Sequence, residues 1–140
     1  MNRLFYIVAG LMMTGMSSFA RTIKVGKQQQ ARTIGQALSI ASPGDTIRVE
    51  SGIYREKNIV IDKPVVLLGI DYPVLDGEHK YEIISVKANN VTIKGFRIEN
   101  TGVSSLEDIA AVKIYSCRNV TVSENIFKDT KLSGILSYIE

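Results

Sequence analysis

Among 140 residues there is one cysteine, one histidine and no tryptophan. Cys117 alone cannot form an intramolecular disulfide, so no cross-link holds this fold even in an oxidising compartment. The single imidazole, His79, excludes a metal site built from several histidines, and its loop, Gly77-Glu78-His79-Lys80, puts it in solvent rather than in a triad. No second cysteine or nearby histidine joins Cys117, so it reads as a small half-buried residue rather than a metal ligand. Charge of one sign is also missing: 17 basic and 14 acidic residues give +3, spread along the chain. Such a balance leaves no electrostatic footprint for nucleic acid or an anionic lipid surface.

No hydrophobic run is long enough to cross a bilayer. Leu4 to Gly15 is a short apolar stretch behind the positive Arg3, and Ser18-Phe19-Ala20 places small residues where a signal peptidase reads them. Residues 1–20 are therefore expected to be a secretory signal peptide, with cleavage before Arg21 and a periplasmic product. That cut removes one Arg and no acid, leaving a net charge of +2. It also removes all four methionines, so the remainder has no thioether for copper(I). The hydrophobic content of 45 % is that of an ordinary globular domain.

What the remainder does have is short β-rich runs. Residues 21–45 predict a first strand over Thr22-Ile23-Lys24-Val25 and then a helix over 33–41. Ile34, Ala37, Leu38 and Ala41 fall on one helical face, Thr33 and Gln36 form a capping box, and Pro43-Gly44-Asp45 ends the helix. Residues 46–140 predict strands at 46–50, 58–61, 65–70, 83–86, 91–98, 111–115, 120–122 and 135–139. The breaks carry Gly52, Asp62-Lys63-Pro64, Asp76-Gly77, Asn89-Asn90 and Asn119, which tolerate tight or left-handed backbone.

Strands without crossover helices suit a sandwich, a barrel or a solenoid, and internal similarity selects the solenoid. Asn90-Val91-Thr92-Ile93 recurs as Asn119-Val120-Thr121-Val122, 29 residues on, and Ile98-Glu99-Asn100-Thr101 lines up with Phe127-Lys128-Asp129-Thr130. Val65, Leu67 and Gly69 match Val91, Ile93 and Gly95 at an offset of 26. Stacked coils produce such repeats. The expected fold is all-β, a single-stranded right-handed parallel β-helix with a short N-terminal capping helix. Val91, Ile93, Ile98, Val120, Val122 and Phe127 should point inward, and Thr92, Lys94, Thr121 and Ser123 outward. Corner asparagines should form a ladder. Asn90 and Asn119 also match the glycosylation pattern, but the turn already explains them.

The acids are densest at Asp71, Asp76, Glu78 and Glu82. A lyase would need a calcium-binding carboxylate cluster with an Arg or Lys base, and these four are too scattered for that. The tyrosines beyond the signal (Tyr54, Tyr72, Tyr81, Tyr115 and Tyr138) are too irregularly spaced to suggest a sugar-stacking row. No catalytic or cofactor-binding residue is assigned, and metal ligands remain unknown.

Several stretches resemble the NosD family within the pectate-lyase-like superfamily: Ala37-Leu38, Ala41, Pro43-Gly44-Asp45-Thr46-Ile47, Val49, Gly52, Tyr54 and Glu56. The likeness continues, in the family's order, through Ile61-Asp62-Lys63-Pro64-Val65, Leu68-Gly69, Pro73-Val74-Leu75-Asp76-Gly77, Val91-Thr92-Ile93-Lys94-Gly95-Phe96, Asn100-Thr101-Gly102 and Glu107-Asp108. The first piece also opens pectin esterases and carbohydrate-binding and sugar-hydrolase β-helix domains; the set from Val91 to Gly102 narrows the likeness to NosD. The resemblance implies a periplasmic, non-enzymatic accessory that works beside an ABC transporter in assembling the copper-sulfide centre of nitrous oxide reductase, with copper as a possible ligand. The alternative is a β-helix that binds or cleaves a polysaccharide. NosD proteins are much longer, and a chain ending inside a strand at Ser137-Tyr138-Ile139-Glu140 is expected to be an N-terminal fragment with incomplete coils.

Overall fold

A computed structural model describes residues 19–130 and 133–138. The expected signal peptide therefore lies almost wholly outside the described residues, as does Ile139. The chain winds through about five turns. The first holds β1 (Thr22–Val25) and α1 (Ile34–Ile40), and the second β2 (Thr46–Val49), β3 (Ile53–Tyr54) and β4 (Ile59–Ile61). The third has β5 (Val66–Gly69), β6 (Val74–Asp76) and β7 (Ile84–Val86), and the fourth β8 (Val91–Lys94), β9 (Arg97–Glu99) and β10 (Ala110–Tyr115). The last has β11 (Val120–Ser123), β12 (Ile126–Lys128) and β13 (Ser133–Tyr138). Every pairing is parallel, in three sheets: β1-β2-β5-β8-β11, β3-β6-β9-β12 and β4-β7-β10-β13. This is the single-stranded parallel β-helix expected, with one short helix.

The core is made of inward columns. Ile23, Ile47, Leu67, Ile93 and Val122 stand in register in the first sheet, and Tyr54, Leu75, Ile98 and Phe127 in the second. In the third, Ile59, Ile84, Val112 and Ile135 align. Burying such side chains stabilises by roughly 1.5–3 kcal/mol each, which is why one face of every strand is apolar. Val91, Ile93 and Ile98 are buried, whereas Val120, Val122 and Phe127 in the last coil are half-buried, because their outer side meets no further described coil. Val120 pairs with Val91 and Phe127 with Ile98, so the repeat alignment holds residue for residue.

Three corrections follow. The run 91–98 is two strands, because Gly95 has a φ of 81° and turns the corner between sheets. A Cβ on Gly69 would collide with the carbonyl oxygen of Gly95, so these stacked corners need glycine on both levels. The short strands β3 and β6 were not anticipated, and β12 was anticipated only through Phe127. Two or three residues cannot show an alternation that separates a strand from a loop. Helix α1 starts as expected, with Thr33 Oγ1 accepting from Gln36 N at 3.1 Å, but Gln36 Oε1 accepts from Arg32 N at 2.9 Å instead of closing the box on Thr33.

The helix takes the place that a strand of the third sheet fills in later turns and packs on β1, β2 and β4 through Ile34, Ala37 and Leu38. It covers the first coil as expected. The carboxylate of Glu56 accepts from Ile34 N at 2.8 Å and Gly35 N at 2.9 Å, and Lys63 Nζ donates to Leu38 O at 2.7 Å and Ala41 O at 3.0 Å. Both ends of the helix are thus tied to the second turn. The corner ladder also forms: Asn90 and Asn119 are left-handed, and Asn119 Nδ2 donates to Asn90 Oδ1 at 2.8 Å.

Candidate functional site

The acids named from sequence lie in three places. Asp71 is exposed in a left-handed turn and lines a small groove with Lys24, Arg48 and Glu50. Asp76 belongs to a corner, where Oδ1 accepts from Glu78 N at 2.9 Å and Asn100 Nδ2 at 3.0 Å, and Oδ2 meets Arg55 Nε at 3.3 Å. Burial opposes its charge, but the bonds from Asn100, Glu78 and Arg55 outweigh it and hold the carboxyl below its ordinary value. Glu78 and His79 are exposed in the same left-handed turn. Cys117 is half-buried against the core, and its Sγ lies 3.0 Å from Tyr115 O, the nearer acceptor for its one proton, and 3.5 Å from Val86 O. Among the described residues, no three or more His, Cys, Asp and Glu side chains converge to hold a metal ion.

Glu82 is different, because it reaches the outer face of the third sheet. Alternation along β10 turns Val112 and Ile114 inward and Lys113 and Tyr115 outward. Pairing then sets Ser85, Lys113 and Leu136 in one outer column and Tyr115 beside Tyr138 in the next, where Lys87 also arrives. The two rings stack at 6.2 Å with planes 30° apart. Lys113 Nζ lies over both, at 5.2 and 5.3 Å from their centroids, and Lys87 Nζ lies 5.2 Å from that of Tyr115.

Carboxylates close this cluster. Glu82 accepts from Tyr115 Oη at 3.2 Å and from Ser85 Oγ, and it pairs with Lys113 Nζ at 3.6 Å. Ser85 Oγ also lies 2.7 Å from Asn58 Oδ1. Tyr138 Oη donates to Asp108 Oδ2 at 3.2 Å, and Lys113 Nζ to Asp108 O at 3.0 Å. Burial disfavours the Lys113 ammonium, but Glu82 and the two phenols more than compensate and its pKa is raised. Burial and Asp108 raise Tyr138 despite Lys113. Both groups therefore keep their protons in neutral water and act as hydrogen-bond donors in the cluster.

The Lys113 and Glu82 side chains are only 12 % and 13 % exposed, whereas Tyr115 and Tyr138 are 37 % and 39 % exposed. A contact partner would meet the aromatic edges first. Tyr115 and Tyr138 form one stacked pair across neighbouring coils, which their spacing in the sequence does not reveal. Tyr115 and Tyr138 are 23 residues apart, shorter than the offsets of 26 and 29, because each turn changes length at its corners while its strands keep register. The available signal was their common place, after an alternating run, at the end of a strand.

A second surface lies between the loop after β1 and the corner before β3, a groove of about 720 Å³ lined by Lys27, Gln29, Arg32, Glu50, Tyr54 and Arg55. Tyr54 Oη donates to Glu50 O at 2.9 Å, and burial, then the charges of Glu50 and Glu56, raise its pKa. Among the described residues, no helix is long and apolar enough to cross a membrane. Comparison with known proteins finds no family model, no curated protein and no solved structure that matches this chain.

Proposed function

We propose that this chain is an exported, NosD-like accessory that carries partners on the outside of a β-solenoid and catalyses nothing itself. Its setting is the periplasm, beside an ABC transporter, and its task is maturation of the copper-sulfide centre of a nitrous oxide reductase. Support comes from where the matching residues fall. Asp45 closes the turn after α1, Gly69 and Gly95 pass at stacked corners, and Asp76 bonds Asn100 on the next level. The likeness thus follows the architecture coil after coil. Copper enters as cargo of the assembly. The test is to delete the gene and examine the reductase for its copper-sulfide absorption. The centre should be lost, and a fully loaded reductase in the deletion strain would refute the reading.

One observation favours a second reading, a polysaccharide-binding protein: the Tyr115–Tyr138 stack with Lys87 and Lys113 on one sheet face. Calorimetry with neutral and acidic oligosaccharides separates the two. Saturable binding that Tyr138→Ala abolishes would move the assignment to this second class.

A further inference from the structure

The backbone of Arg21 is tied to the fold more closely than its place just before β1 requires. Its nitrogen donates to Asp45 Oδ1 at 2.9 Å, its guanidinium reaches Asp45 Oδ2 at 3.1 Å, and its carbonyl accepts from Thr46 N at 2.8 Å. The Asp45 side chain is only 2 % exposed, and Oδ2 also accepts from Ser42 N at 2.8 Å. The guanidinium further donates to Ile40 O at 3.2 Å, at the end of α1. On the other side of the Ala20–Arg21 bond, Ala20 is exposed and Phe19 is 84 % exposed. The bond thus joins an exposed segment to a nitrogen aimed at a carboxylate that is almost out of water.

We propose that Arg21 is the first residue of the working protein and that its α-ammonium forms a charge pair with Asp45, which exists only after the Ala20–Arg21 bond is cut. This rests on the export reading above. A signal-processing peptidase adds one water: the Ala20 acyl carbon takes the hydroxyl and leaves as a carboxylate, and the Arg21 nitrogen leaves as an amine that takes a proton. One neutral N–H donor becomes an ammonium with three. Hydrogen bonds between ionised partners are roughly twice as strong as neutral ones, and the low exposure of Asp45 limits screening. Since Asp45 also anchors the turn after α1, and Arg21 O holds Thr46 N, the cut tightens the whole N-terminal end of the solenoid. Processing and folding are coupled through this one nitrogen.

The experiment compares residues 21–140 with a free α-amine, the same chain acetylated at that amine, and the chain preceded by Gly-Ser. The free form should melt roughly 5 °C or more above the other two, and Asp45→Asn should erase the difference. Equal melting of all three with Asp45 intact overturns the proposal. Should Asp45→Asn not fold, the rate at which an amine-selective ester labels the α-amine decides. It should be about tenfold slower in the folded chain than in the urea-unfolded one, since a paired ammonium keeps its proton; equal rates overturn the pair. Mass spectrometry of exported material tests the other half, and a first residue other than Arg21 overturns the assignment. Failure to be exported at all refutes the accessory reading instead, and the melting comparison, made on purified chains, is unaffected by it.

Discussion

At the scale of single residues, position in a column sets the cost of a change. Ile93 is fully buried between Leu67 and Val122, so Ile93→Ala should cost roughly 2–5 kcal/mol, the sum of lost transfer energy and a cavity that its neighbours cannot fill. Val122→Ala, in a half-buried place, should cost about 1 kcal/mol. Urea unfolding of both variants checks the order, and equal costs would contradict the stacking. Acid sensitivity is also a residue property here. Bonds from Ser42 N and Arg21 N, then the Arg21 side chain, hold the Asp45 carboxyl below 3.8 against the effect of burial, and Asp76 is held low as well. A carboxyl whose folded pKa is depressed stabilises fully above its unfolded value and loses that contribution as pH falls through the folded one. The unfolding midpoint should therefore stay level from pH 7 to about 5 and drop below about 4. Asp45→Asn should start lower and fall less steeply; an unchanged slope would show that Asp45 is not a source of the acid loss.

At the scale of elements, corners matter as much as strands. Asn125 Oδ1 accepts from Phe96 N at 2.9 Å and its Nδ2 donates to Ile93 O at 2.9 Å, so one side chain satisfies two backbone groups of the coil below. Asn125→Ala strips both, and its expected cost is about 1–3 kcal/mol, measured by thermal melting, whereas Asn125→Asp keeps an acceptor for Phe96 N but sets a carboxylate oxygen against Ile93 O and should cost no less. Helix α1, the first strand and the long apolar runs were legible in the sequence because periodicity over four or more residues identifies them. The Asn90–Asn119 ladder was legible from the repeat. What was not legible was set by packing between turns: β3 and β6 are too short to show a pattern, and Gly95 reads as a strand residue until its corner is seen. The candidate surface escaped for a related reason. Tyr115 and Tyr138 are brought together by parallel register, which a changing turn length hides, and Glu82 joins them from a loop.

At the scale of the whole molecule, cohesion should fall along the helix axis. The N-terminal coil is covered by α1, whereas β11, β12 and β13 each have a paired neighbour on one side only among the described residues, and Ile135 is 44 % exposed. In the 140-residue chain on its own, hydrogen exchange should therefore be slowest in β2, β5 and β8 and fastest in β11 to β13, because a coil paired on one side only opens without breaking a second interface. Uniform protection would mean that opening is global. The ring pair offers an optical way to watch the same gradient. The chain has no tryptophan to mask tyrosine bands, and Tyr115 and Tyr138 are stacked only while β13 lies on β10. Two coupled phenols in a fixed, chiral arrangement give near-ultraviolet circular dichroism that two free ones do not. Docking of the final strand thus has its own chromophore, readable in the unlabelled protein, and its band should fade before the far-ultraviolet signal of the remaining coils.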